Sequence, residues 1–254
     1  MAVTFERRTQ IIDYLRESPR VSTRELGIQF AVSEVTIRHD LDILEREGWI
    51  TRVHGGAELI PRLQLEQSYK ERETLNLVAK IRIARAASAL IREGDTILID
   101  SSTTAFQLTA CLNDFKHLTV ITNHFHVARV LSPMSNIDLL LLGGTVRSET
   151  WSIVGSLAEE TARGLHARLG FFGAAGITLE RGSMDADIRE VGVKRAMASA
   201  AQHIVLLADS SKFGRESLRT AIEFSHIAHL FTDKQLEANY INELNQTTIN
   251  WTQV

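Results

Sequence analysis

The chain reads as an α/β protein in two parts, an N-terminal winged helix-turn-helix followed by a larger C-terminal open α/β domain. Three observations predict this. Val21 to Gly56 sets helix, tight turn, helix and short hairpin in succession. From Val78 onward, short continuous apolar runs alternate with helical periodicities, the pattern of a largely parallel sheet covered on both faces. Polar, glycine and basic residues recur just after several of those runs, where open α/β sheets bind their ligands.

Phe5 to Ser18 is expected to be a first helix, with Ile11, Ile12 and Leu15 on its apolar face and Pro19 beyond its end. A helix carrying Leu26 and Phe30 comes next. The following helix opens at Ser33, whose hydroxyl can accept from a free N–H of the first turn. Ile37, Leu41 and Leu44 recur at the spacing of one buried face. With that stripe inward, Thr36, Arg38 and His39 are left to touch base edges or phosphates. Gly48 ends the helix, Trp49 to Val53 makes a strand, and His54-Gly55-Gly56 a turn or wing. This is a common way to set a helix into a major groove. The candidate DNA contacts are Ser22, Thr23, Ser33, Thr36, Arg38, His39, Arg52 and His54.

Periodicity fades from Ala57 to Leu77, so the expected organisation is a DNA-binding domain over 1–57, a linker over 58–77, part-helical around Glu66 to Thr74, and an effector-sensing and oligomerisation domain over 78–254. In the last of these, Lys80–Ile91 reads as a helix and Thr96–Ile99 as the first strand. A helix over Thr104–Leu112, a strand over Leu118–Ile121, a helix over His124–Leu131 and a strand over Asp138–Leu142 follow. Next come Ser156–Leu165 (helix), Leu169–Phe172 (strand), Ile188–Ala200 (helix) and His203–Leu207 (strand). Thr220–Phe224 and His229–Phe231 are further candidate strands. A helix over Gln235–Leu244 and a strand over Thr248–Trp251 close the chain.

Composition excludes several classes. With 254 residues, 44% hydrophobic and 23% charged, the chain is ordinary for a soluble globular protein. A net charge of -3 supplies no global basic field. The first sixty residues hold eight arginines, no lysine and ten acidic residues, so DNA binding must rest on local placement of charge. Asp42, Glu45 and Glu47 are then expected on the half of the helix away from DNA. The single Cys111 rules out an internal disulfide. No apolar run approaches the ~18 residues that span a bilayer. Glu6, Arg7 and Arg8 without a long apolar core behind them do not read as a secretory signal. The expected location is the cytoplasm.

The chemistry lies after the strands. Asp100-Ser101-Ser102-Thr103-Thr104 puts four hydroxyls ahead of a helix N-terminus, a natural anion cradle. Thr122-Asn123-His124, Gly143 to Arg147, Gly173 to Gly176 and Asp209 to Lys212 are expected at the same sheet edge. Arg147 and Lys212 are the cations suited to an anionic group, and Asp100 and Asp209 could accept from sugar hydroxyls. Glu190 and Lys194, at i and i+4 on one helix, read equally as a solvent-facing ion pair or as site residues. The candidate effector contacts are thus Asp100, Ser101, Ser102, Thr103, Thr104, Asn123, Arg147, Glu190, Lys194 and Lys212. His124 and His126 lack further ligands at metal spacing, so no metal is expected.

VSTRELGIQFAVSEVTIRHDLDILEREGWITRVHGGA, IREGDTILIDSSTT, VITN, LLLGGTVR, GSLAEE, REVGVKRAM and LADSSKFG occur in the order seen in the DeoR family of bacterial transcriptional regulators, which the chain resembles over nearly its whole length. The resemblance implies a C-terminal domain similar to ribose-5-phosphate isomerase and glucosamine-6-phosphate deaminase. It implies a repressor of a sugar or sugar-alcohol catabolic operon, released from double-stranded operator DNA by a phosphorylated sugar or sugar alcohol. A homodimer or homotetramer, no cofactor and no enzymatic activity go with it. By motif, Ser101–Thr104 is the phosphate loop and Lys212 matches the lysine after the late strand. The chain departs from the family's usual pattern at Ser102, commonly Gly, at Thr178, commonly Asp, and over Gly182 to Asp185. The alternative is a sugar-phosphate isomerase or deaminase with an appended DNA-binding module, for which Glu190 is the one candidate base.

Overall fold

The computed structural model describes residues 7–8, 10–11, 14–15, 18, 20–46, 50–53, 55–59 and 69–254. The chain divides into two compact units, Met1–Leu65 and Glu66–Val254.

In the first unit, strand β1 (Arg20–Ser22) leads into α1 (Thr23–Gln29), then α2 (Glu34–Arg46), β2 (Ile50–Val53) and β3 (Gly56–Leu59). Ser22 caps α1 in a reciprocal box. Its hydroxyl accepts from Glu25 N–H at 3.1 Å, and its own N–H donates to the Glu25 carboxylate at 2.8 Å. The tight turn places Ala31 at φ 53°, a left-handed conformation uncommon for a residue with a Cβ. Ile11, Leu15, Val21, Leu26, Ile37, Leu41, Leu44, Ile50 and Ala57 form one buried core. The three strands pair antiparallel in the order β1-β3-β2. The β1 strand carries no alternating pattern and went unforeseen. Gly56 makes the wing possible, because a Cβ there would lie 2.1 Å from the Val21 carbonyl oxygen. The expected first helix falls partly on described residues, where Ile11 and Leu15 are helical and buried. Ile12, Pro19, Gly48, Trp49 and His54 lie outside the described residues.

The second unit opens with α3 (Tyr69–Thr74), a helix within the stretch expected as linker, and α4 (Leu77–Ser88). Strands β4 (Thr96–Ile99), β5 (Leu118–Thr122), β6 (Ile137–Leu141), β9 (Ala167–Phe172), β12 (Ala201–Leu207), β14 (Ile227–Thr232) and β15 (Asn250–Gln253) make a seven-stranded sheet, order β15-β14-β12-β9-β4-β5-β6. Every pairing in it is parallel. Side chains alternate across it: Leu98 joins one buried core, and Ile97 and Ile99 the other. One face is covered by α4, α5 (Phe125–Leu131) and a 3₁₀ segment, Ala105–Asp114; the other by α6 (Ser156–Arg163), α7 (Ile188–Ala200) and α8 (Ala238–Asn245). The 3₁₀ winding corrects the helix expected over Thr104–Leu112. Apolar residues at Ala105, Leu108 and Leu112 serve either winding, so the pattern could not distinguish them.

Two further departures bear on the site. After β6 the chain forms a hairpin, β7 (Thr145–Arg147) and β8 (Ser152–Val154), instead of passing straight to a helix. The strand expected at Thr220–Phe224 is β13 (Arg219–Ile222). It pairs antiparallel with β11 (Gly182–Asp185), itself paired with β10 (Gly176–Thr178), in a small separate sheet. No helix among the described residues is long and apolar enough to cross a membrane.

Candidate functional site

Because all seven strands run parallel, the loops after β4, β5, β9 and β12 come to one edge. There a pocket of about 470 Å³, its open mouth included, is lined by Arg72, Ser101, Ser102, Thr103, Thr104, Ala174, Asp185, Glu190, Lys194 and Lys212. The four-hydroxyl loop is its rim. Asp100 holds that loop in shape by accepting from Ser102 N–H at 2.9 Å and Gly173 N–H at 3.0 Å. Ser102 Oγ in turn accepts from Ala105 N–H at 3.1 Å. The N–H groups of Thr103 and Thr104 donate to no other described group.

The charged residues sort into two sets. Lys194 lies 3.1 Å from the Asp100 carboxylate and 2.7 Å from that of Asp185, and donates to Gly173 C=O at 2.7 Å. Burial alone would lower its pKa, but Asp185 and Asp100 outweigh burial and hold it above the ordinary lysine range. Burial raises the Asp185 carboxyl, even with Lys194 opposing the shift. Glu190 accepts from Arg147 at 2.7 Å, Thr150 at 2.8 Å, Ser101 at 3.1 Å and the Ser152 hydroxyl. Glu190 and Lys194 are each 6% exposed. The solvent-facing pair is therefore corrected: an i,i+4 spacing brought both to the site, and each found a different partner. Arg147 also reaches Asp187 at 3.2 Å and does not line the pocket. Its guanidinium is paired with the Glu190 and Asp187 carboxylates. Asp100 and Asp209 likewise accept from protein donors, Asp209 from Ser211 N–H at 3.1 Å and Asn76 at 2.8 Å. Asn123 is 2% exposed and donates to Ile153 C=O at 3.2 Å, behind the pocket.

The second set is Arg72 and Lys212. The Lys212 ammonium makes no hydrogen bond or ion pair with the described residues, and burial pushes its pKa down. Arg72 Nε is buried with no hydrogen-bond partner among them. Sequence reasoning missed Arg72 because it sits in the polar stretch taken as linker. It also missed Asp185, which follows a shift in the β11–β13 register between Ser183 and Met184. Beside Arg72, Tyr69 packs its ring against His124 and His126 at centroid distances of 4.9 and 4.7 Å. Burial, aided by His126 and Arg72, drops the His124 pKa to about 3. Among the described residues no group of His, Cys, Asp and Glu could hold a metal ion.

In the first unit, Val35, Arg38, His39 and Asp42 fall on the face of α2 opposite Ile37, Leu41 and Leu44, and all four are exposed. Ser33 caps that helix: its hydroxyl accepts from Thr36 N–H at 3.2 Å and lies 2.9 Å from the Thr36 hydroxyl. Arg38 reaches Glu34 at 3.3 Å. Thr23 is 4% exposed and its N–H donates to Gly55 C=O, so it is a packing residue and no DNA contact. Asp42 lies on the face that carries Arg38 and His39, and Glu47 is outside the described residues. Asp42 faces out, 3.4 Å from Arg52 of the wing, whose N–H donates to Glu45 at 3.0 Å. The buried Asp40 is paired with Arg7 at 2.7 Å. Three acidic residues of this unit, Glu34, Asp40 and Asp42, are thus each paired with an arginine.

Residues 7–62 match the DeoR-like helix-turn-helix domain and residues 75–234 the DeoR C terminal sensor domain. The lactose phosphotransferase system repressor of Lactococcus lactis subsp. lactis is 34% identical over 245 residues, covering 95% of this chain and 96% of its own. The glycerol-3-phosphate regulon repressor of Escherichia coli (strain K12) is 32% identical over 228 residues, covering 90% of each. Among solved structures, ribose 5-phosphate isomerase A from Methanocaldococcus jannaschii aligns with 54% of this chain and 55% of its own at 16% identity. Its TM-score is 0.40. With a winged helix-turn-helix leading a sensor domain, and both matched in that order along the sequence, the chain belongs to the DeoR family of transcriptional regulators.

Proposed function

We propose that this regulator represses a sugar or sugar-alcohol catabolic operon and leaves its operator when a phosphorylated sugar or sugar alcohol occupies the pocket at the strand ends. One observation carries the reading. Beside a loop with two undirected N–H groups stand two cations, Arg72 and Lys212, that form no direct ion pair with a described carboxylate. That is a phosphate site by chemistry. The relatives named as repressors of a lactose phosphotransferase system and a glycerol-3-phosphate regulon support the same class of control. DNA contacts are assigned to Val35, Thr36, Arg38 and His39 of α2 and Arg52 of the wing, with Ser22 and Ser33 as caps. Paired half-sites call for two or four copies of the chain.

The isomerase alternative rests on Glu190. A general base needs a carboxylate oxygen within reach of the substrate proton. Glu190 Oε1 already accepts from Arg147, Thr150 and Ser152, and Oε2 from Ser101. That occupancy favours a structural carboxylate.

A thermal-shift panel of phosphorylated sugars and sugar alcohols tests the proposal, paired with a mobility-shift titration on the DNA upstream of the chain's own coding sequence. At a hundredfold excess over Kd the expected stabilisation is about 2.7 kcal/mol, or roughly 5–11 °C for a unit of this size. The compound that shifts the melting temperature should also release the DNA. A panel in which nothing phosphorylated shifts it, or in which a member is turned over with loss in Glu190→Gln, overturns the reading.

A further inference from the structure

We infer that Arg72 is the residue through which a bound anion acts on the DNA-binding unit: its guanidinium holds the anion, and its short helix passes the change toward the preceding chain. The inference rests on the effector reading above and adds to it the route of regulation.

Helix α3 is the first described element after the helix-turn-helix unit, separated from β3 by residues 60–68 alone. Its six residues, YKERET, offer too short an apolar face to dock by themselves. Instead, α3 and the Asn76 that follows it are held by four loops, of which those after β4 and β12 supply pocket residues. Tyr69 N–H donates to Glu149 C=O in the β7–β8 turn at 2.9 Å. The Tyr69 ring sits against His124 after β5. The Arg72 C=O accepts from Thr103 Oγ1 of the phosphate loop at 3.4 Å and from the buried Lys80 ammonium. Asn76 Nδ2 donates to Asp209 at 2.8 Å and Ser211 at 3.2 Å after β12.

The side chain of Arg72 meanwhile lines the pocket, and its buried Nε–H lacks an acceptor. An anion in the pocket would supply one. Its affinity therefore differs between arrangements that keep α3 seated and those that do not, which is the differential a ligand needs to shift an equilibrium. Lys212 also lines the pocket, but it belongs to the loop after β12, anchored in the central sheet. It can add affinity without adding coupling.

The test uses the full chain, its upstream DNA, inorganic phosphate as the minimal anion, and the compound that scores in the thermal-shift panel. DNA affinity is measured by anisotropy without ligand and at saturation. In the wild type the two affinities should differ 5- to 150-fold, the usual span of allosteric coupling. Lys212→Met should weaken ligand binding yet keep that ratio at saturation. Arg72→Met should bring the ratio toward one, with Arg72→Lys between. Hydrogen exchange on the wild type gives an arm free of folding defects: ligand should slow the amides of residues 70–76. A wild-type ratio of one sinks the effector reading itself. A wild-type ratio preserved in Arg72→Met, or amides at 70–76 indifferent to ligand, overturns the inference and leaves the effector reading standing.

Discussion

Replacing Lys194 by Met separates its two possible roles. The ammonium has three hydrogens, and Asp100, Asp185 and the Gly173 carbonyl stand at 3.1, 2.7 and 2.7 Å. Met keeps the packing volume and leaves two buried carboxylates without their cation. Removing one partner of a buried ion pair costs about 3–5 kcal/mol. Asp100 retains two N–H donors, so most of the loss falls on Asp185. Its carboxyl is already pushed up by burial and can take a proton, which places the cost near the lower end, about 3 kcal/mol. For a unit of this size that is roughly 6–12 °C in melting temperature. The sign with pH follows. A carboxyl whose pKa is raised in the folded state binds more protons folded than unfolded, so the variant's stability falls as pH rises. The deficit should be larger at pH 8 than at pH 5, and Asp185→Asn in the Lys194→Met background should restore part of it. Thermal and urea melts of the three proteins across that range are the assay. If Lys194→Met melts with the wild type at pH 8 and has lost its ligand shift, the lysine serves the ligand and the charge network assigned here is wrong.

Three further outcomes are expected. His124 is held neutral with a pKa of about 3, whereas an unfolded histidine titrates near 6.5. At pH 5 the unfolded wild type therefore gains about 2 kcal/mol of protonation that the folded state forgoes. His124→Phe should be less acid-sensitive than the wild type by that amount between pH 7.5 and 5, and identical acid profiles would show that the ring is not held neutral. A Cβ on Gly173 would lie 2.4 Å from Ser102 Cβ and 2.5 Å from Ser102 Oγ, with the nearest atom of any other residue, the Leu207 carbonyl oxygen, at 3.7 Å. Gly173→Ala should cost about 1–3 kcal/mol by overpacking and weaken ligand binding. Ser102→Gly should rescue it, and strict additivity in that cycle would refute the contact. Arg38→Ala gives up an exposed pair worth about 0.3–0.5 kcal/mol, so the fold should hold. DNA affinity should drop by about 1–3 kcal/mol for a base contact, or its salt slope by about one for a phosphate contact. Unchanged binding at every salt concentration would remove α2 from the interface.

Much of the architecture was legible in local pattern. Ile188–Ala200 was read to the residue, and most strands of the large sheet to within two. A buried parallel strand is a short apolar run, and a solvent-facing helix repeats every three to four residues. The elements that escaped were those with little pattern: β1, the β7–β8 hairpin, and β10 and β11 of the small sheet. The pocket's rim at Ser101–Thr104 was legible because hydroxyls crowd one strand end.

Sequence alone determined that a helix-turn-helix stands before a parallel-sheet domain, and that hydroxyl, glycine and basic residues gather at the strand ends. Both follow from periodicity and from the rule that parallel strands deliver their loops to one edge. Only the tertiary structure decided which charges remain available there. Arg147, Glu190 and Lys194 read from sequence as groups for a ligand, yet they are bound to partners up to 94 residues away, buried carboxylates among them. Arg72, in a stretch that reads as linker, is brought into the pocket by contacts with four loops. Which charge a carboxylate neutralises depends on distances of a few ångströms between distant segments, and no local pattern encodes them.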